Sequence, residues 1–190
     1  DIGRKVNGLL QDKYENIFPE DQLFSVENSL ETLIPWLDYY FPIRDKKVLI
    51  FGTGLGGTTV ACALNIGDGL VYGVDINEDA VNKTCLRAEA YGVKEKVVLS
   101  YVEKTYSLSY ENEYFDAVFV NDVIEHIVDE RGKYIRETFR VLKNKGLLFI
   151  TGTPNLLYAK DRHTTGLYFI PWLSSEMAYR YAIFRKKWTP

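Results

Sequence analysis

Apolar and polar positions along the chain follow two different periods. In residues 22 to 40, Val26, Leu30, Leu33, Ile34 and Leu37 recur at three- and four-residue intervals, which predicts an amphipathic helix leaning on a sheet edge. The run Val48-Leu49-Ile50-Phe51 after Lys47 is continuous and apolar, as in a central parallel strand covered on both faces. From there the two patterns alternate. A helix is predicted from about Gly57 to Ile66, a strand from Gly69 to Asp75, a helix from about Glu78 to Tyr91, and a strand from Lys96 to Tyr101. Strand Phe115 to Asn121, a helix from about Ile124 to Leu142 and strand Gly146 to Thr151 complete the series. Such alternation predicts an α/β fold with a doubly wound, mostly parallel sheet and right-handed crossovers. Residues 1 to 41 read as an N-terminal helical segment, 42 to 152 as the core and 153 to 190 as an aromatic-rich, less periodic tail, all in one domain. The polar stretch 1 to 21, broken at Phe18-Pro19, is expected to form a short helix over the site, and the tail a substrate cap.

Composition narrows the class. The 190 residues, 46% of them hydrophobic, suffice for one sizeable core, and no apolar run reaches the length of a transmembrane segment. The chain begins at Asp1 without the basic and apolar segments of a signal peptide, so a cytoplasmic protein is expected. A net charge of −3 lacks the basic face of nucleic-acid binders, so no nucleic acid partner is expected and a small-molecule substrate fits better. Cys62 and Cys85 lie in helix-like segments without paired metal-ligand spacing and read as reduced thiols. Oligomeric state is not legible.

The chemistry begins where the first strand ends. In VLIFGTGLGGTTV, Gly52, Thr53, Gly54, Leu55, Gly56 and Gly57 follow the strand at once and a helix begins. Glycines permit a tight turn and close approach of a ligand to the main chain, while the helix start offers free N–H groups. Asp75 closes the next strand, where a carboxylate can accept hydrogen bonds from ribose hydroxyls. The spacing of Gly52, Gly54 and Gly57, with an acid about twenty positions on, equally matches the dinucleotide fingerprint. An NAD(P)-dependent oxidoreductase therefore stays open on this turn alone.

Three segments together resemble the class I S-adenosylmethionine (SAM) dependent methyltransferases, over about Ser25 to Asn155. VLIFGTGLGG is similar to the family's first motif, VYGVDIN to its ribose-binding strand end and YFDAVFVNDVIEHI to its fourth strand with the following helix start. LKNKGLLFITGTPN resembles the family's loop and fifth strand. The EH pair and TPN resemble the ubiquinone-biosynthesis-like small-molecule members, and DRHTTGLYFIPWL a segment that lines the acceptor pocket in some of them. The resemblance implies a Rossmann-like fold with SAM as methyl donor and S-adenosylhomocysteine as product. By position it puts Gly52, Thr53, Gly54 and Gly56 under methionine and ribose, Asp75 on the ribose and Ile76 against adenine. Val102 and Glu103 fall near adenine, although SYVEKTY departs from the family's Gly-Asp pattern. Asn121 and Asp122 stand at the methionine end. Ile50 replaces an acidic residue that braces the glycine loop in many members, and no closing antiparallel strand pair is identifiable after Arg185.

Methyl transfer is a direct displacement that chiefly needs alignment, and deprotonating a hydroxyl or amine is the step that calls for a side chain. The two histidines, His126 in the first turn of the predicted helix after the fourth strand and His163 in the tail, are the candidate bases. Asp122 and Glu125 have the spacing of a capping box. With His126 they would share a helix face, and with His163 they would form an oxygen and nitrogen set suited to a metal. No metal is assigned, because the acidic net charge argues against the RNA-end methylation that such a set serves in similar EH-bearing proteins. Arg180, Arg185, Lys186 and Lys187, among Tyr181, Phe184 and Trp188, read as a solvated helix end or as a contact for an anionic surface. A catalytically silent SAM-binding partner subunit is the non-enzymatic alternative.

Overall fold

The computed structural model describes residue 18 and residues 25–127, 131–152, 157–161 and 164–187. The expected helix within residues 1–21, the metal set through His163 and the TPN segment lie outside these. The chain divides into two compact units, Asp1–Thr151 and Gly152–Pro190.

The first unit opens on helix α1, Ser25–Tyr40, whose buried stripe is Val26, Ile34 and Leu37. Strand β1 (Lys47–Phe51), helix α2 (Gly57–Asn65), strand β2 (Leu70–Asp75), helix α3 (Glu78–Ala90) and strand β3 (Val97–Tyr101) follow. Strand β4 (Phe115–Asn121), helix α4 (Arg131–Val141) and strand β5 (Leu142–Thr151) complete it. All five strands are parallel in the order β3-β2-β1-β4-β5. The order reverses between β1 and β4, the switch point at which open α/β sheets bind ligands beyond their strands' carboxyl ends. The sheet is thus the predicted doubly wound one, and β1 and β4 have their expected bounds.

Strand alternation sorts β1 between two cores. Val48 and Ile50 join Val26, Ile34, Leu37 and Val60 on the α1 and α2 side. Leu49 and Phe51 join Val74, Val118, Val120 and Val141 on the other. Each such buried side chain is worth about 1.5–3 kcal/mol, so two-sided burial fixes the central strands. Away from the site, the Asp116 carboxylate ties the sheet's base. It accepts from the Lys47 N–H at 2.9 Å and the Lys143 ammonium at 2.8 Å.

Four expectations need correction. The predicted helix from Ile124 does not form there. Residues Ile124–His126 make one 3-10 turn, Ile127 is extended at φ −83° and ψ 102°, and the α-helix begins at Arg131. Asp122 is left-handed at φ 53° and Val123 precedes the turn without a side-chain cap, so the capping box fails for want of a helix. His126 therefore closes a 3-10 turn instead of occupying a helix's first turn, and Asp122 and His126 share no helix face. Strand β5 also starts earlier than predicted, at Leu142. A register shift lies between Phe115 and Ala117, and the polar Lys143-Asn144-Lys145 hides the extension from an apolar-run reading.

The second unit carries an antiparallel bridge, Lys160 to Tyr168, and helix α5, Ser175–Phe184. Asp161 organises the loop within the bridge by accepting from the Thr165 N–H and hydroxyl, each at 2.6 Å. The Ser174 side chain caps α5 at the Met177 N–H, 3.4 Å away. Among the described residues no helix is long and apolar enough to cross a membrane.

Candidate functional site

The glycine turn is held from beneath by neighbouring elements. Gly52, Gly54 and Gly56 have φ of 86°, 51° and 82°, the left-handed region that L side chains resist. The Thr84 hydroxyl of α3 donates to the Gly54 carbonyl at 3.2 Å. A Cβ on Gly56 would sit 3.0 Å from the Thr84 Cα, whereas one on Gly54 would meet nothing within 4 Å. Gly56 is thus required by packing, and Gly54 leaves an open face on which a ligand can lie against the backbone. Gly56 precedes α2 with no side-chain cap, so the helix's first N–H groups keep their anion-binding capacity.

Asp75 turns its carboxylate onto this bend. Oδ2 accepts from the Gly54 N–H at 2.9 Å and from the Thr53 hydroxyl at 3.3 Å, and Oδ1 accepts from the Asn77 N–H at 2.9 Å. A carboxylate has about four lone-pair positions, so capacity remains on Oδ1 for a ligand hydroxyl. Ile50 is buried at 1% exposure and cannot brace the loop. The bond from Gly54 makes Asp75 that brace here.

The other predicted residues fall into separate places. Ile76 follows Asp75 and is 64% exposed. Val102 adjoins Asp75, its N–H donating to the Asp75 carbonyl at 2.9 Å, and Glu103 beside it is exposed. Asn121 and Asp122 lie at the end of β4, where the Asn121 amide donates to Asp122 Oδ2 at 3.0 Å and accepts from the Thr151 hydroxyl. Together with Thr58 of α2 they line one cavity of about 390 Å³. His126 is exposed and outside that lining. His163 and the Glu125 side chain lie outside the description.

Several residues here were invisible to sequence reasoning. Trp36 of the cavity lies in no motif, and Thr151, inside the fifth-strand segment, was given no role of its own. Arg87 of α3 is wholly buried, donates to Ser25 Oγ and lies 4.2 Å over the Phe18 ring. Burial lowers its pKa, against which Tyr91 and Glu27 act. Ser25 in turn packs on Gly57, where a Cβ would fall 2.7 Å from Ser25 Oγ. The chain of contacts Arg87–Ser25–Gly57 therefore ties α1 and α3 to the start of α2. Its only sequence signal is an arginine on the inner side of an otherwise amphipathic helix. The Cys62 thiol, wholly buried, is pushed up to about 12 by desolvation and takes no part.

A parallel sheet, a glycine turn at its switch point and an acid closing the next strand define a nucleoside-binding α/β protein. The chain belongs to the methyltransferase domain family, whose match runs over residues 49–150. Membership of this family implies S-adenosylmethionine as the cofactor rather than a nicotinamide dinucleotide. It is 37% identical over 109 residues to a probable cobalt-precorrin-6B C(15)-methyltransferase (decarboxylating) of Saccharolobus solfataricus, covering 55% of each chain. It is 29% identical over 130 residues to the 27-O-demethylrifamycin SV methyltransferase of Amycolatopsis mediterranei, covering 68% of this chain and 47% of that one. The chain spans about half the length of the curated relatives it matches. Its fold is shared with a SAM dependent methyltransferase from Aquifex aeolicus, at a TM-score of 0.62 and 20% identity over 96% of this chain and 86% of that one.

Proposed function

We propose that this chain transfers a methyl group from S-adenosylmethionine to a hydroxyl, or an amine, of a small-molecule acceptor. The observation that carries the reading is the Asp75 carboxylate on the glycine turn, accepting from the Gly54 N–H at 2.9 Å while keeping acceptor capacity for a ribose. On this reading the backbone of Gly52, Thr53, Gly54 and Gly56 runs under the cofactor, and Asp75 accepts its ribose hydroxyls. Ile76, Val102 and Glu103 flank the adenine, and Asn121 and Asp122 stand toward the methionine end.

Bound there, S-adenosylmethionine supplies an electrophilic methyl carbon on a sulfonium. The protein's work is to align the acceptor and exclude water. Removing the acceptor's proton calls for a side chain, for which His126 and His163 are the sequence's candidates. The name of the rifamycin relative gives an oxygen acceptor, which supports the hydroxyl reading. A cytoplasmic setting is part of the proposal, supported by two free cysteines.

The test is transfer of label from methyl-labelled donor across a panel of neutral alcohols and amines. Label is expected in the hydroxyl fraction, and a loss of about a hundredfold in His126→Ala or His163→Ala would mark that histidine as the base. Cofactor binding without transfer to any panel member would mark the chain as a silent SAM-binding subunit and overturn the proposal.

A further inference from the structure

Beside the glycine turn the sheet's carboxyl edge opens into the cavity of about 390 Å³, within the roughly 300–1,000 Å³ usual for small-molecule sites. Its walls divide by chemistry. Leu33, Trp36 and Phe149 form an apolar side, the Trp36 and Phe149 rings standing 4.9 Å apart at 46°. Asn28, Ser29 and Thr32 of α1 face it from one polar side, and Thr58, Asp122 and Thr151 from another. Among the described residues no Lys, Arg or His lines it.

The hydroxyls here are oriented. Ser29 Oγ donates to the Ser25 carbonyl at 2.9 Å, Thr32 Oγ1 to the Asn28 carbonyl at 2.6 Å, and the Thr151 hydroxyl to Asn121 Oδ1. A hydroxyl has one proton and two lone pairs, so these three commit their protons to the protein and keep lone pairs for a ligand. The Asp122 carboxylate adds an acceptor-only group, steadied by the Asn121 amide at 3.0 Å. Strand register sets it beside the glycine turn, because Phe51 pairs with Val120, so Gly52 and Asn121 follow side by side.

A cavity lined in this way selects a ligand rich in donors, with one apolar face and no negative charge. Among the described lining residues an anion would meet Asp122 with no cation to offset it. An ammonium would suit Asp122 but leave the donors of Asn28 and Thr58 without use, since it has no lone pair. A hydroxylated ring meets every condition, its C–H face on Trp36 and its hydroxyls both donating and accepting.

We propose that this cavity is the acceptor site, that its ligand class is a neutral polyhydroxylated ring of hexose type, and that Asp122 receives the proton of the hydroxyl being methylated. In the transfer the hydroxyl oxygen forms its bond to the methyl carbon and the donor's sulfur–carbon bond breaks, its electron pair staying on sulfur. The proton passes to Asp122 and then to solvent. This inference rests on the methyl-transfer reading, adds the substrate class, and moves the proton's destination from the two histidines to Asp122, because Asp122 lines the cavity and His126 does not.

Saturation-transfer NMR on the whole chain with S-adenosylhomocysteine present tests it, with methyl α-glucopyranoside, glucose 6-phosphate and ethanolamine as competing probes. The glucoside is expected to bind in preference. Trp36→Ala is expected to weaken it about tenfold, and Thr32→Val, which spares the apolar wall, about threefold. Asp122→Asn is expected to lower labelled methyl transfer to the glucoside about a hundredfold while changing glucoside binding less than about threefold. Preference for the phosphate or the amine, glucoside binding indifferent to both cavity variants, or undiminished transfer in Asp122→Asn would overturn the inference. A wild-type chain that binds S-adenosylhomocysteine but no glucoside refutes only this assignment, whereas one that binds neither refutes the methyl-transfer reading itself.

Discussion

Two aspartates end neighbouring parts of the same sheet edge, and the protein treats them in opposite ways. Asp75, 9% exposed, has three internal donors: the Gly54 N–H, the Thr53 hydroxyl and the Asn77 N–H. Asp122 is exposed, left-handed at φ 53°, and held by the amide of its neighbour Asn121. On the function proposed above, the first corner is a preorganised cofactor seat, fixed before any ligand arrives. The second is an adjustable one beside an open cavity. A cofactor common to a family and an acceptor particular to one member call for that division.

The bracing of the first corner reaches into α1 and α3, and breaking it there should produce the largest effect. Arg87→Met is expected to lower unfolding stability in urea by about 3–5 kcal/mol, because it strips a buried cation from Glu27 and Ser25 while keeping the stem. A loss under about 1 kcal/mol would show that the seat does not depend on this network. Next comes the seat itself. Asp75→Asn should weaken S-adenosylhomocysteine binding about a hundredfold, roughly 3 kcal/mol, against no more than about fivefold for Asp122→Asn. Equal losses in the two variants would erase the contrast.

The glycines sharpen it further. Gly56→Ala presses a Cβ on Thr84 and should cost about 1–3 kcal/mol of stability. Gly54→Ala points into open space and should cost about 1–2 kcal/mol from its backbone conformation alone, yet reduce cofactor binding as strongly as Asp75→Asn. A Gly54→Ala chain that binds normally would mean the ligand does not approach that face. The smallest effect lies on α4, where Glu137 accepts from Arg140 at 2.7 Å and from the Leu108 N–H at 2.6 Å. The Arg140 guanidinium, against the opposing effect of burial, holds the Glu137 carboxyl below its ordinary range. A depressed folded pKa gives stability that is complete above the unfolded value near pH 4.3 and lost as pH falls through the folded one. Glu137→Gln should therefore lower the urea midpoint at pH 7 and flatten its acid fall. An acid limb unchanged in that variant would assign the loss to other carboxylates.

How much of this was legible follows from range. Strands β1 and β4 were readable to the residue because two-sided burial writes itself as an apolar run, Val48–Phe51 in β1 and Ala117–Val120 in β4. The glycine turn and Asp75 were readable because few backbones other than glycine tolerate those angles. The 3-10 turn was not, since the spacing of Asp122 and Glu125 is locally that of a cap. The left-handed backbone at Asp122 and the packing of Val123, into which a Cβ on Gly52 would run, decide otherwise. Arg87 and the Thr151 hydroxyl were illegible for a similar reason: their partners lie on other elements, and a lone Arg or Thr announces no direction.

Calorimetric titration of the unmodified chain with S-adenosylhomocysteine, alongside NAD and alongside the Asp75→Asn variant, tests the central claim most directly. Binding of S-adenosylhomocysteine with a Kd of about micromolar order, no heat from NAD, and loss of binding in the variant are predicted. NAD binding in its place, or an Asp75→Asn chain that binds S-adenosylhomocysteine undiminished, would contradict the account.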